Sequence, residues 1–516
     1  MLDIDATAPG RRIKPEIYGV NFATEAVLRD LNIPLNRSGG NSASLYNWRI
    51  DARNAGADYY FESLPATSDI RDQFNHGFVA RSRAGGSEPM ITIPAIGWTA
   101  RLGPDRAKLA AYSVRKYGPQ QQTDFRYFPD AGNGVTPDGQ EISGNDPHDA
   151  AEPVDAAAQA QARVQDLVTR WSRAERGGVR YYIVDNEPGL WHRTHRAVHP
   201  QGARAVEIAD KTISVAKAIH RADPSARTIA PESWGWGGYL DSGFDQQAHA
   251  GHQDGAALDR ATVTGGMDFL PWLLRRWRDA GAPVDVVSVH FYPQGGEFPD
   301  EQAGSRAIQL LRNRSTRLLW DSSYRDTSWI DAPVALIPRL RHWVDENYVP
   351  GTPIAITEYS WGGDDSMSGA VVQADIWGIF GREGVDMAAR WLAPRPGTPV
   401  YRAMRLIRNY DGRDGAFGDI SLPVTGADPD VLSAFAARRG GDKAVTLLVV
   451  NKSLDDFAAV AIKMPSGGPN RTPPSVYRLV KGELLPPRRI SISGTSACDS
   501  LPPQSVALYV MPSADD

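Results

Sequence analysis

The chain has almost no cysteine. Cys498 is the only one in 516 residues, so no disulfide can form within the chain and no cysteine-based metal site can be built. No apolar run is long enough to cross a bilayer as a helix, which sets membranes aside as a partner. There is no basic stripe either. The 56 Lys and Arg stand against 61 Asp and Glu, mixed along the chain for a net charge of −5, which argues against nucleic acid. The chain opens Met1-Leu2-Asp3-Ile4-Asp5 with no apolar leader. The expectation is therefore a secreted protein without its signal, or a cytoplasmic one. Internal repeats and low-complexity tracts are also lacking. Nothing in the sequence sets the oligomeric state.

What the chain does have is aromatic. It carries 14 Trp and 18 Tyr, and flat rings stack on the apolar faces of sugars as well as filling cores. The most informative stretch runs from Val179 to His199. It begins as an apolar, β-branched and aromatic run, the texture of a buried strand. It ends in Asp185-Asn186-Glu187-Pro188, where the proline cannot continue a sheet. Glu187 is thus expected at a strand's carboxyl end, with Asn186 beside it. A carboxyl group there can protonate a glycosidic oxygen, and an amide can hydrogen-bond a ring hydroxyl.

Seven other segments read as strands. They are Ile17–Phe22, Pro34–Arg37 (ending in Ser38-Gly39-Gly40-Asn41), Met90–Trp98, Thr228–Trp234, Val284–Tyr292, Pro353–Tyr359 and Met387–Leu392. Most are followed by a helical pattern, for example Asp155–Gly177 and Ala205–Ala222. Eight such units predict an α/β fold, a (β/α)8 TIM-like barrel with its working groups at the carboxyl ends of the strands. Tyr46–Gly86 reads as a loop excursion and Ser113–Ala150 as an ordered insertion. From Ser421 the texture changes to short strands between Pro and Gly turns, which predicts an appended β-sandwich domain. The expected organisation is an edge strand in 1–15 that joins the sandwich, the barrel over 16–420, and the sandwich over 421–516.

A glycosidase of the common kind needs two carboxyl groups across the scissile bond. Glu358, near the end of the seventh strand between Thr357 and Tyr359, is the expected partner of Glu187. In a closed barrel the two can converge over the shared mouth. Glu187 is expected to be the one held protonated. His290 and Tyr292 end the adjacent strand and are expected to touch substrate or orient the nucleophile. Trp234, Trp361 and Trp391 lie at strand ends, and Trp329 lies in the long loop after the sixth strand. All four are candidates for stacking on sugar. His192, His195 and His199 invite a zinc reading, which the absent HExxH pattern and the loop-forming Pro188-Gly189 disfavour. Asp146, Asp149, Glu152 and Asp155, with Glu62, are oxygen donors that could hold calcium but lack the spacing of an EF-hand, and the residues alone favour a solvated acidic loop.

Several stretches together resemble glycoside hydrolase family 44, the endoglucanases and xyloglucanases. They are IYGVNF from Ile17, RSGGNSASLYNWRIDARNAGADYYFES from Arg37, KYGPQQ from Lys116, DAGNG from Asp130, GNDPHDA from Gly144, VDNEPGLWHRTHRAVHP from Val184, SVHFYP from Ser288 and AITEYSWG from Ala355. The resemblance implies the barrel-plus-sandwich architecture and hydrolysis with retention, with Glu187 as acid/base and Glu358 as nucleophile. It implies no cofactor for catalysis and a structural calcium ion, for which Glu62, Asp149 and Asp155 are the candidates. The expected activity is that of a retaining endo-β-1,4-glucanase acting on cellulose-like β-glucan or xyloglucan. The alternatives are a xylanase or mannanase on the same machinery, or a non-catalytic polysaccharide-binding protein. One departure is Ser38, where relatives are expected to carry tryptophan; it touches a rim contact and not the chemistry.

Overall fold

In the computed structural model, which describes residues 1–66, 73–251, 257–298, 301–464 and 472–512, eight parallel strands close into a barrel. In chain order they are β1 (Gly19–Asn21), β2 (Leu35–Ser38), β3 (Glu88–Ile93), β4 (Tyr181–Val184), β5 (Arg227–Ser233), β6 (Val286–Phe291), β7 (Ile354–Tyr359) and β8 (Met387–Arg390). Each strand pairs with the next, and β8 returns to β1 through Ala389–Gly19 and Arg390–Val20. Leu35, Met90, Tyr181, Ile183, Ile229, Val286, Ala355 and Met387 pack into one buried cluster, supplied by β2 to β8. The polar residues of the same strands, Arg37, Glu232, His290 and Glu358, lie nearer the carboxyl ends and are also buried. Layers of side chains filling a barrel in this way leave room for chemistry only at the mouth.

Helices wrap the barrel because one face of each is apolar. In Ala205–Ala222 the buried residues include Ile208, Ala209, Thr212, Val215, Ala216 and Ile219, the three-and-four spacing of a helix laid on a sheet. Helix Met367–Glu383, which follows β7, is different: fourteen of its seventeen residues are buried. A helix apolar all round must be covered all round. Here the barrel covers one side and Phe435, Leu448, Val506 and Leu508 of a second domain complete the cluster.

That second domain is a pair of antiparallel-rich sheets of five and seven strands. Their facing residues, among them Leu447, Val449, Ile462, Ala497 and Tyr509, form a separate core. The amino terminus contributes to both. Leu2–Ile4 lies between Ala458–Lys463 and Val424–Thr425, and Arg11–Arg12 pairs with Ile420–Leu422.

The excursion Tyr46–Gly86 contains more regular structure than its composition suggests. Ala52–Asn54, Glu62–Pro65 and Leu109–Ala110 form a three-stranded sheet, and His76–Ala84 is a helix capped by Asn75, whose side chain accepts from Gly77 N–H. Only Phe78, Val79 and Ser82 of that helix are buried, so its apolar period is too faint to read. Residues 67–72 of the excursion lie outside the described residues.

Candidate active site

The barrel mouth is built around a buried arginine. Arg37 is the residue before the last of β2, and its side chain has no exposed surface. The guanidinium turns back beneath Gly39, where an added Cβ would lie 2.3 Å from Arg37 Cζ; glycine is what lets it pass. Nη1 donates to Glu358 Oε1 at 2.7 Å and to Asn21 Oδ1 at 2.8 Å. Nη2 donates to Glu232 Oε2 at 2.6 Å and to Asn186 Oδ1 at 3.1 Å. Arginine suits this task because its planar fork can serve several acceptors in fixed directions.

Each carboxylate reaches the mouth through a break in regular backbone. Glu187 follows β4 with φ 45°, and Glu232 within β5 has φ 57°. Non-glycine residues pay of order 1–3 kcal/mol for such conformations, which cluster at functional sites. Around Glu358 the pairing of β6 with β7 shifts register, from Val289–Ile356 to His290–Glu358. Strict alternation would send Thr357 and Glu358 to opposite faces; a bulge re-aims side chains. In this case Thr357 and Glu358 both turn to the same polar cluster, Thr357 Oγ1 donating to Glu232 Oε1 at 2.7 Å.

His290, at the end of β6, sits between three carboxylates. Nδ1 lies 2.8 Å from Glu187 Oε1 and 3.5 Å from Glu358 Oε2, and Nε2 lies 3.0 Å from Glu232 Oε2. Burial alone would draw its pKa down, but Glu358 and the hydrogen bonds to Glu187 and Glu232 lift it to about 10. Burial opposes the charge of Glu232 too, yet Arg37 and His290 hold that carboxyl down at about 2. For Glu187 the balance is reversed: burial raises it, with His290 only partly offsetting. Tyr292 donates to Glu358 Oε2 at 2.9 Å. Burial and the neighbouring Glu358 charge keep that phenol well above its ordinary value, and so a donor.

Glu187, His290 and Glu358 each place one ligand-type atom within 4.8 Å of the others, the single such triad of His, Cys, Asp or Glu among the described residues. Both glutamates keep a little exposure, 15% for the Glu187 side chain and 7% for Glu358, while Glu232 and His290 have none. The two accessible carboxyls are the ones that can meet a substrate.

The other expected site residues divide. Asn186 is at the mouth, its oxygen taken by Arg37 and by Gly40 N–H, and its amide donating to Asn41 Oδ1 at 3.2 Å. Trp391 stands over Gly40, where a Cβ would meet its ring at 2.6 Å, with its edge toward Phe22. Trp329 is 59% exposed and held by its indole N–H on Gln294. Trp234 packs against Gly237 and Gly238 and donates to Gln246. Trp361 is a correction: it is 3% exposed, donates to Ser315 Oγ and packs on Phe291. A strand-end position does not tell which way a side chain points, and this one points into the core.

The expected calcium ligands are also not gathered as a set. Asp149 is held by Lys116 at 2.6 Å and by Tyr117. Asp155 caps helix Ala156–Trp171 by accepting from Ala158 N–H. Glu62 is buried, with Lys108 at 3.4 Å on Oε2 and no hydrogen bond to Oε1. Its neighbour Asp124 is buried too, with Oδ2 unpartnered. Burial pushes Glu62 up to about 7, with Lys108 opposing and Asp124 reinforcing the rise. Of the expected ligands only Glu62, with Asp124 beside it, has a buried oxygen without a hydrogen-bond partner that could turn to a hard cation. The three histidines of the Glu187 loop do not converge on a metal: His195 engages Thr194 and the Asn41 carbonyl, and His199 engages Glu207.

Sequence reasoning missed Arg37 and Glu232. Both carried a signal. Arg37 is a charge closing the segment Pro34–Arg37 that reads as a strand, and Glu232 repeats in Ile229-Ala230-Pro231-Glu232 the carboxylate-beside-proline pattern of Glu187.

A closed parallel barrel with paired carboxyls at its mouth is the architecture of a glycosidase. The family model of glycoside hydrolase family 44 matches residues 52–295. The chain is 47% identical to CelM2, a bifunctional glucanase-xylanase from a metagenome library, covering 99% of each chain with a TM-score of 0.94. It is 27% identical to a Paenibacillus polymyxa xyloglucanase of family 44, again over 99% of each, with a TM-score of 0.79. It is 30% identical over 471 residues to endoglucanase A of Paenibacillus lautus, spanning 86% of this chain and 62% of that relative's length. The chain belongs to glycoside hydrolase family 44.

Proposed function

We propose that this protein is a retaining endo-β-1,4-glucanase acting on cellulose-like β-glucan or xyloglucan. The observation that carries the reading is the pair of partly exposed glutamates whose oxygens approach within 4.8 Å. Retaining enzymes hold their carboxyl groups about 5–5.5 Å apart, whereas inverting ones leave about 6.5–9.5 Å for a water. The surroundings separate the roles. Glu358, which accepts from Arg37 and from the Tyr292 hydroxyl, serves as nucleophile. Glu187, raised by burial, carries the proton.

In the first step a Glu358 oxygen attacks the anomeric carbon, the glycosidic C–O bond breaks, and the leaving oxygen takes the proton of Glu187. In the second, water attacks the same carbon, Glu187 takes the water's proton, and the bond to Glu358 breaks. Trp391 and Trp329 are the stacking residues this reading uses.

The test is a pair of variants. Glu358→Gln should abolish turnover. Glu187→Ala should lose activity on polysaccharide and regain it on an activated aryl glycoside when azide is added, giving a β-glycosyl azide. An α-glycosyl azide, or full polysaccharide activity in either variant, overturns the reading. The description of CelM2 as a glucanase-xylanase favours xylan as a second substrate, and reducing-sugar release from a panel of β-glucan, xyloglucan, xylan and mannan decides it. No release from any of them would leave polysaccharide binding without catalysis. Calcium held by Glu62 and Asp124 would serve the fold and not the reaction. Among the described residues no helix is long and apolar enough to cross a membrane, and action on a polymer suits a secreted protein; recovery of the native protein from culture medium or from cell lysate settles which.

A further inference from the structure

The mouth holds one carboxylate more than a two-glutamate reaction uses. Glu232 has no exposed side-chain surface and cannot touch a sugar. Both its oxygens are engaged from within: Arg37 Nη2 and His290 Nε2 on Oε2, Thr357 Oγ1 on Oε1. Its backbone is held at φ 57°. Buried ion pairs seldom stabilise a fold more than apolar packing would, so a strained, buried charge here calls for a functional reason.

The reason lies in where charge resides during the reaction proposed above, on which this inference rests. Before the first step the negative charge is on Glu358 and Glu187 is neutral. In the glycosyl-enzyme Glu358 is esterified and Glu187 is the anion. Arg37 and His290 face both states. The groups around His290 are Arg37 from β2, Glu187 after β4, Glu232 from β5, Tyr292 after β6 and Glu358 from β7, with the Tyr239 hydroxyl on its backbone carbonyl. Among these, only Glu232 keeps the same negative charge throughout.

We propose that Glu232 is a positioning residue for the acid step: it is the fixed counter-anion that keeps two protons on the Glu187–His290 pair, an imidazolium beside a neutral carboxyl. His290 then donates through Nδ1 to Glu187 Oε1, and the acidic proton is left on Glu187 Oε2. The same imidazolium stabilises the Glu187 carboxylate once the proton has gone to the leaving group. Without the counter-anion, the Glu187–His290 pair retains one proton instead of two. The imidazole, the stronger base, takes it, and Glu187 is left ionised before the reaction starts.

The test is the pH profile of kcat/KM for Glu232→Gln, which keeps size and hydrogen bonding and removes the charge. Removing a buried anion disfavours every protonated neighbour, so the basic limb should move to lower pH by about one unit or more. Turnover of polysaccharide should fall about tenfold or more at neutral pH, while aryl glycosides with acidic leaving groups are largely spared. Thr357→Val removes the hydroxyl that holds Glu232 but leaves its charge, and should leave the limb in place. A wild-type basic limb in Glu232→Gln overturns the proposal, as does an equal shift in Thr357→Val. Should Glu232→Gln fail to fold, nitrogen NMR of the wild type decides: His290 must be doubly protonated at about pH 8, and a neutral ring there overturns the proposal. Azide rescue of Glu187→Ala judges the acid assignment separately, so failure of the one is not mistaken for failure of the other.

Discussion

Arg37 joins the residues of the site into one network, since Glu358, Glu232, Asn186 and Asn21 all accept from it. Deleting its charge would strand two buried carboxylates. Removing one partner of a buried pair typically costs about 3–5 kcal/mol, so Arg37→Met should lower the denaturation midpoint strongly as well as abolish turnover; a midpoint equal to wild type would contradict the network. His290 gives a pH test of the same network. Its pKa is raised from the ordinary 6.5 to about 10, so its contribution to stability is fully present below about 6.5 and is lost as pH rises through about 10. Glu232 works the other way: lowered to about 2, it contributes above its ordinary 4.5 and loses that contribution as pH falls through about 2. Unfolding free energy should therefore decline between neutral pH and about 10, and replacing His290 by Gln should flatten that decline. An equal alkaline slope in the variant would show that other groups govern it. At this scale Glu187 and Glu358 were legible because each closes a recognisable apolar strand. For Glu232 the proline beside it marks a strand end, but nothing in the sequence shows that Arg37 and His290 enclose it. The inward turn of Trp361 was illegible for the same reason, since side-chain direction at a strand end depends on local backbone.

At the scale of elements, the barrel strands were readable because both faces are buried, which makes them continuous apolar runs. The bulge between β6 and β7 and the positive φ of Glu187 and Glu232 were not, because they break the alternation that sequence reading relies on. They are also what brings the carboxylates together. Helix Met367–Glu383 links the two domains by its burial. An added Cβ at Gly378 would lie 2.2 Å from the Phe435 ring of the seven-stranded sheet, and Lys452, just after strand Val445–Asn451 of that sheet, reaches Asp375 of the helix at 2.6 Å. Overpacking a close contact costs about 1–3 kcal/mol, so Gly378→Ala should lower the melting temperature without altering KM. An unchanged melting curve would mean the sheet yields freely. Glu62 and Asp124 offer a second test at this scale. A cation bound only by the folded state stabilises it, so chelator should lower the melting temperature of the wild type and not that of Glu62→Gln. Identical curves with and without chelator in the wild type would exclude the ion.

Over the whole molecule, the buried network of Arg37, Glu232, His290 and Glu358 lies at the carboxyl end of the barrel, above the apolar layer formed by Leu35, Met90, Ile183 and Met387. Trp391 stands over Gly40 at that end, and the exposed Trp329 is held on Gln294 shortly after β6; the proposed reaction uses both as stacking residues. Trp329→Ala should weaken oligosaccharide binding by about 1 kcal/mol and raise KM on long chains while leaving kcat near wild type; unchanged KM would remove that residue from the cleft. The wild-type enzyme itself tests the roles of Glu187 and Glu358 more directly than any variant. Proton NMR of a soluble β-glucan oligosaccharide, followed from the first turnovers before mutarotation, reports the configuration of the newly formed reducing end. Two displacements at one carbon predict the β-anomer. A first-formed α-anomer would contradict the double displacement and the roles given to Glu187 and Glu358.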